Sequence, residues 1–394
     1  MTTWPKCPAL KEYITLRLAF CLFKYFPYGG LQRDFMRIAR ECRNRGHEVH
    51  VYTMHWDGDP EPGFNVHIIK TKAWQNHARL LSFTNKLTPH LQAARFDVVI
   101  GFNKMPHLDA YYAADVCYQA RVREHRRAFY RLLPRYRQYV AFEESVFRLG
   151  NPVEILLISP QQQKAYSQYY QTEPERFHLL PPGIAKDRMA PANAAEMRAA
   201  LRKAYGFTDE QILLLMVGSG FKTKGVDRAI KGLASLSPAL KSRCRLFVIG
   251  QDDPARFQKL AVTWQVSDRV SFLGGRSDVP DFLLAADLLL HPSYHENTGT
   301  AILEALVAGL PVLTVEACGY AHYVTEAEAG TVVPAPYKQR EFNAALEKMV
   351  SSPQTTWRQN ALAFAKEADI YSMPCKAADL IEQIGQKRVL TPRP

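Results

Sequence analysis

Residues 16–54 read LRLAFCLFKYFPYGGLQRDFMRIARECRNRGHEVHVYTM, and their pattern decides the fold. LRLAFCLF is a short apolar run of strand length. KYFPYGG is a loop with two glycines. In LQRDFMRIARECRNRG the apolar residues Leu31, Phe35, Ile38, Ala39 and Cys42 recur at helical spacing, and Gly46 is a natural stop. HEVHVYTM is a second strand and FDVVIGF (96–102) a later one. Near-continuous apolar strands alternating with helices predict a parallel sheet covered on both faces.

The same grammar returns after about residue 205. QILLLMVG is a strand, SGFKTKG a loop, and a helix runs from Val226 to about Leu236. CRLFVIG, RVSFLGG, ADLLLHPS, LPVLTV and GTVVP are further strands. Two such series predict an α/β chain of two doubly wound domains. The Pro-rich LLPPGI (Leu179–Ile184) is the candidate linker. The expected layout is an extension over residues 1–16, a domain over 17–183, a second over 184–370, and a C-terminal segment over 371–394 that begins as a helix.

The composition suits this layout. A chain of 394 residues is about right for two domains, and its 47% hydrophobic and 22% charged content is ordinary for a globular protein. No run of 18 apolar residues occurs, so no spanning helix is expected. The N-terminal stretch lacks a secretory pattern. The seven cysteines are scattered with no CxxC pair, which argues against a zinc site or a disulfide framework and for a reducing compartment. A cytoplasmic location is expected. The net charge of +12 suits an anionic partner: nucleic acid, a membrane surface or a phosphorylated substrate. Composition does not choose among them.

Three loops could carry chemistry. In Pro27-Tyr28-Gly29-Gly30, glycines would let the backbone approach a ligand at a helix N-terminus, although a plain tight turn explains them too. The loop is neither GxGxxG nor a Walker loop. Asp34, one turn on, either holds a sugar hydroxyl or simply complements the helix dipole. The loop Gly218-Ser-Gly-Phe-Lys222-Thr-Lys224-Gly225 places two lysines and three glycines after a buried strand, where α/β sheets bind ligands. It suits a diphosphate, or is a basic solvated loop. The third is YHENTGTAILEALVAGLP (294–311), with Glu296 and Glu304 separated by seven residues. Ile302, Leu303, Leu306, Val307 and Leu310 form an apolar stripe. Glu304 lies off it, available to bond a vicinal diol. Glu296 precedes the helix beside the N–H groups of Asn297, Thr298 and Gly299, a setting for sugar hydroxyls and a phosphate. The alternative is a surface acid and a dipole partner.

Other patterns carry less. Asp57-Gly58-Asp59 resembles a metal-binding DxD but sits in a turn-rich loop. His291 and His295 are four apart, yet Pro292 makes a shared helical face doubtful. No GxSxG elbow exists. The segment Tyr118–Phe147 carries arginines at 121, 123, 126, 127, 131, 135 and 137. Phe129, Leu132, Leu133, Tyr136 and Val140 follow helical spacing, with Pro134 expected to break or kink the helix. Such a segment suits an anionic membrane interface; a nucleic-acid face and a core helix with a solvated basic side are the alternatives.

The stretches FCLFKYFPYGGLQRDFMRIA, VVIGFNKMP, YYAADVCY, YQTEPERF, LLPPGI, KGVDR, ADLLLHP and AGLPVL with CGYAHY closely resemble the lipopolysaccharide core glucosyltransferases of retaining glycosyltransferase family 4. The likeness runs from about Arg17 to the C-terminus. That family's hallmark is two glutamates separated by seven residues, which Glu296 and Glu304 match. The resemblance implies a GT-B fold, two facing Rossmann-like domains with a C-terminal helix crossing back to the first. It implies a hexosyltransferase that takes UDP-glucose as sugar donor and the first heptose of the lipid-anchored inner core as acceptor. It also implies that the protein works as a peripheral cytoplasmic enzyme on the inner face of the inner membrane.

By that likeness Glu304 would hold the ribose, Glu296 would lie by the glucose, and the amides of Asn297, Thr298 and Gly299 would contact sugar or phosphate. Lys224 would neutralise the diphosphate beside Gly218, and Gly30 and Asp34 would act from the first domain. The family's phosphate-loop arginine is replaced by Ser219, and Lys222 is the candidate substitute. Arg121, Arg123, Arg126, Arg127, Arg131, Arg135 and Arg137 would dock the enzyme on the membrane. No cofactor, metal or nucleic acid is expected. No obvious nucleophile is present, so retention would follow a same-face path in which the leaving diphosphate helps deprotonate the acceptor. The alternatives are another sugar nucleotide or acceptor and, in a different class, a basic nucleic-acid-binding protein.

Overall fold

The computed structural model describes residues 15–27 and 29–390. The chain divides into two compact units. One holds the residues up to Gly183 together with those from Tyr371 onward; the other is Ile184–Ile370.

The first unit carries seven strands: β1 (Arg17–Cys21), β2 (Glu48–Thr53), β3 (Phe64–Ile68), β4 (Val98–Gly101), β5 (Ala110–Ala113), β6 (Glu154–Leu157) and β7 (Phe177–Leu179). They form one parallel sheet in the order β3-β2-β1-β4-β5-β6-β7. Leu18 pairs with Val49 on one side and Val98 on the other. Successive side chains of β1 point to opposite faces. Leu18 and Phe20 enter a core with Phe35, Ile38, Ala377 and Ile381, from the helices Gly30–Asn44 and Met373–Leu390. Ala19 and Cys21 enter another with Phe83, Leu87, Phe147 and Tyr166, from the helices Asn76–Ala94, Pro134–Phe147 and Pro160–Tyr170. The last helix of the chain is therefore part of the first unit's core. Leu16 is also buried there, with its N–H on His47 Nδ1, so the folded unit starts within the segment assigned to an extension. The rest of that extension, residues 1–14, lies outside the described residues.

The second unit carries β8 (Ile212–Val217), β9 (Cys244–Ile249), β10 (Val270–Phe272), β11 (Leu288–His291), β12 (Val312–Val315) and β13 (Gly330–Val333), parallel in the order β10-β9-β8-β11-β12-β13. Strand order reverses between β8 and β11. The chain runs on from these neighbours to strands on opposite sides of them, and the carboxyl ends at such a switch point are where these sheets bind ligands. Loop 218–225 leaves β8 and loop 292–299 leaves β11, so the fold alone brings the lysine loop to the glutamate loop.

Candidate active site

Loop 218–225 is shaped by three glycines at φ 137°, 79° and 75° (Gly218, Gly220 and Gly225), backbone conformations that side chains resist. A Cβ on Gly225 would also lie 2.1 Å from the Pro292 carbonyl oxygen, so only glycine lets the two loops close. Tyr294 N–H donates to Thr223 O at 2.8 Å. Arg228 donates to the carbonyls of Pro292 and Ser293 at 3.1 Å each and lies 3.6 Å from the ring centres of Tyr294 and Tyr337. On the other side, Gly319 N–H donates to Glu296 O and Tyr320 N–H to Thr298 O, at 3.2 and 2.7 Å. The glutamate loop is thus clamped on both flanks.

Inside the clamp, Lys224 Nζ, His291 Nε2 and Ser293 Oγ all meet Glu296 Oε2, the last two at 3.2 and 3.3 Å. Oε1 takes no hydrogen bond from the described residues. Burial pushes the Glu296 carboxyl up, but His291 and Lys224 outweigh it and hold it down at about 2. His291 sits fully buried at the end of β11. Burial lowers its basicity, yet the Cys318 thiol and Glu296 outweigh that and raise it above the ordinary value. The Cys318 thiol is pushed up by burial and pulled further down by His291. The result is a half-buried carboxylate, kept ionised, with one oxygen saturated by donors and the other still able to accept.

The helix Thr300–Val307 begins at Gly299, φ 92°, with no side chain capping it. Ile302 N–H donates to Gly299 O at 2.8 Å, and the N–H groups ahead of it have no partner within the helix. The expected open face is not there: every residue from Ala301 to Val307 is buried, and Glu304 is only 8% exposed. Neighbouring helices, among them Thr355–Glu367 and Ala321–Glu326, enclose the element, so the apolar stripe is not its only inward side. Glu304 is therefore not a surface acid.

Lys222 is exposed and stands two residues from Lys224 on the short helix Phe221–Lys224, so the two do not share one face of that turn. Ser219 instead accepts from Gln251 N–H at 3.0 Å and fastens the loop to the end of β9. His295 is exposed while His291 is buried, so the two share no site. Asp57 and Asp59 are exposed around Gly58, whose φ of 88° marks a turn. Among the described residues no group of three metal-ligating side chains converges.

In the first unit a Cβ on Gly29 would meet the Gln32 amide and the Phe26 ring edge, which would have to shift; one on Gly30 would meet nothing within 4 Å. Asp34 accepts from the Tyr112 hydroxyl at 2.8 Å and lies 3.8 Å from Arg37. Burial lifts its carboxyl above the usual value despite these partners.

The basic segment is three pieces rather than one helix: helix Tyr118–His125, a tight turn over Ala128–Leu132, and helix Pro134–Phe147. Pro134 starts the last piece, because its missing N–H costs nothing at a first helical position. The expected common face of Phe129, Leu132, Leu133, Tyr136 and Val140 splits. Tyr136 is buried, while Phe129, Leu132 and Leu133 point outward at 62%, 69% and 40% exposure. The seven arginines are exposed around them.

The family model described as glycosyltransferase family 4 matches residues 28–188, and that described as glycosyl transferases group 1 matches 197–367. The lipopolysaccharide glucosyltransferase WaaG of Escherichia coli (strain K12) is 47% identical over 366 residues, covering 92% of this chain and 98% of the relative. The crystal structure of WaaG, a glycosyltransferase involved in lipopolysaccharide biosynthesis, superposes with a TM-score of 0.87 at 46% identity, covering 92% of this chain and 99% of that one. Anabaena Alr3699/HepE in complex with UDP-glucose shares the fold alone, at 18% identity and a TM-score of 0.72, with 93% and 100% of the two chains covered. Two Rossmann-like units, the paired glutamates after β11 and this degree of identity lead to one conclusion: the chain belongs to the lipopolysaccharide glucosyltransferase family, hexosyltransferases of the GT-B fold.

Proposed function

We propose that the chain transfers glucose from UDP-glucose, with retention, to the first heptose of the lipid-anchored inner core. The observation that carries this reading is the Lys224–Glu296 pair at the β8/β11 crevice, with Glu296 Oε1 still able to accept. When the diphosphate arrives, Lys224 exchanges its carboxylate partner for phosphate. Glu296, still held by His291 and Ser293, accepts a glucose hydroxyl through Oε1. The amides of Asn297, Thr298 and Gly299, just ahead of the helix Thr300–Val307, stabilise charge growing on the leaving diphosphate. Gly218 gives it room, and Glu304 takes the ribose diol. In the first unit, Asp34 accepts a sugar hydroxyl and Gly30 leaves space for a ring. The leaving phosphate helps deprotonate the acceptor on the same face of the sugar, so no protein nucleophile is required. Lys224 and the amides supply the positive charge that a divalent metal would otherwise bring, and turnover should survive a chelator.

The enzyme works as a peripheral protein on the inner membrane face, bound through Arg121, Arg123, Arg126, Arg127, Arg131, Arg135 and Arg137 with Phe129, Leu132 and Leu133 inserted. Clustered basic and apolar residues favour an anionic bilayer. Among the described residues no helix is long and apolar enough to cross a membrane.

Two measurements test the chemistry. Product analysis with a panel of sugar nucleotides and a truncated core acceptor should give α-linked glucose from UDP-glucose alone. Titration with UDP should show Glu304→Ala binding at least tenfold more weakly, the expected loss for a bidentate charged contact to a diol; unchanged affinity would remove Glu304 from the ribose.

A further inference from the structure

Trp74 is fully exposed, an unusual position for the largest apolar side chain. It ends a tethered loop. Ile69 is buried with its N–H on Thr53 O at 2.8 Å, and Lys86 Nζ donates to Lys70 O at 2.8 Å. Between them exposure alternates, so that Lys70, Lys72 and Trp74 face solvent while Thr71 and Ala73 are half-buried. From Phe64 to Phe96 the sequence has no aspartate or glutamate.

The loop's position relates it to the basic segment. Helix Asn76–Ala94 follows β3 and helix Pro134–Phe147 precedes β6, so both start at the carboxyl edge of the sheet and run antiparallel to its strands. The two helices pack together. The Phe23 ring lies 5.7 Å from Phe83 on one and 6.5 Å from Phe142 on the other, so both helices pack on one ring about two turns from their starts. Trp74 precedes Phe83 by nine residues, and Leu133 precedes Phe142 by nine. Neighbouring helices are about 10 Å apart. Trp74 and the exposed Leu132–Leu133 therefore sit at matching ends of adjacent parallel helices, and neither first turn carries an acid.

We propose that Trp74, with Lys70 and Lys72, is a second anchor for an anionic phospholipid surface, beside the Phe129–Leu133 anchor. This rests on the membrane reading given above. A tryptophan flanked by lysines suits the headgroup boundary, where the indole is half-buried and the ammonium groups meet phosphate. Two anchors on separate elements fix the unit's orientation on the bilayer, whereas one would leave it free to pivot.

The test uses the full chain with vesicles of phosphatidylcholine containing phosphatidylglycerol, against phosphatidylcholine alone. Trp74→Ala should weaken co-sedimentation with anionic vesicles roughly tenfold, as expected for returning about 60 Å² of apolar surface to water. The tryptophan emission that disappears in Trp74→Phe should be quenched by brominated lipid in the wild type. Lys70→Gln with Lys72→Gln should reduce the preference for phosphatidylglycerol. If Phe129→Ala with Leu132→Ala releases the protein but Trp74→Ala binds like wild type and Trp74 is not quenched, the second anchor is wrong and the first stands. If the wild type binds neither vesicle, both are wrong. Self-association without lipid that Trp74→Ala abolishes would assign the loop to a second copy and overturn the proposal.

Discussion

At the scale of single residues, the site is a question of how one lysine serves two anions. Lys224 neutralises Glu296, and His291 and Ser293 would keep that carboxylate satisfied if, as proposed, the lysine turns to phosphate. Lys224→Ala should therefore lower kcat/KM with UDP-glucose by about 10²–10³, the usual loss when a group stabilising transition-state charge is removed. Glu296 and His291 give the site a pH dependence of definite sign. The Glu296 carboxyl is depressed from 4.5 to about 2, so its contribution is present above pH 4.5 and is lost as pH falls towards 2. At 1.36 kcal/mol per unit this is about 3 kcal/mol. His291 is raised above 6.5, so its contribution is full below that pH and is lost as pH rises through the raised value. Thermal melts of Glu296→Gln should show a flatter acid limb between pH 4.5 and 2 and a flatter limb above neutrality than wild type. Both partners of the pair were legible from residue type and loop position. His291 was not: in sequence its nearest match was His295, and only the fold turns it towards Glu296 and Cys318.

At the scale of elements, short pieces are held by charges that come from elsewhere in the chain. Glu143, buried in helix Pro134–Phe147, accepts from the N–H groups of Tyr118 and Gln119 at 2.6 and 3.0 Å, from Lys104 at 2.5 Å and from the Tyr170 hydroxyl at 2.6 Å. It caps the first turn of helix Tyr118–His125, which has no side-chain cap at its own N-cap position. Glu143→Ala should destabilise the first unit by about 3–5 kcal/mol by leaving Lys104 uncompensated, measured by urea unfolding. Gly225→Ala should abolish turnover while the sheets remain folded by circular dichroism, because its Cβ meets the Pro292 carbonyl and its φ is 75°. Periodicity found the helices but misjudged this region. Counting apolar residues through Pro134 joined Phe129, Leu132 and Leu133 to Tyr136, whereas the turn before the proline sends them to opposite sides. Strands β3 and β5–β7 were also missed, being only three to five residues long, with β3 and β7 largely outside the apolar pattern.

At the scale of the whole molecule, the chain leaves its first unit at Gly183 and returns to it at Tyr371. The return is secured by Glu382, 5% exposed, which meets Arg45 at 3.2 Å and His47 at 2.9 Å, while Arg45 also holds Asp379 at 2.8 Å. Glu382→Ala should lower the stability of the first unit by about 3–5 kcal/mol, the cost of stripping a buried charge of its partner; calorimetry should show the shift in that unit's transition, with the transition of Ile184–Ile370 unmoved. The sequence by itself determined the two βα series, their parallel sheets, the lysine loop and the glutamate pair. These follow from local periodicity, glycine placement and residue chemistry, all carried by neighbours in the chain. The tertiary structure alone decided that Glu304 is enclosed, that Lys222 is exposed, that His291 supports Glu296, and that Trp74 stands fully exposed. Each depends on which elements pack together, because burial and pairing are set by residues distant in sequence.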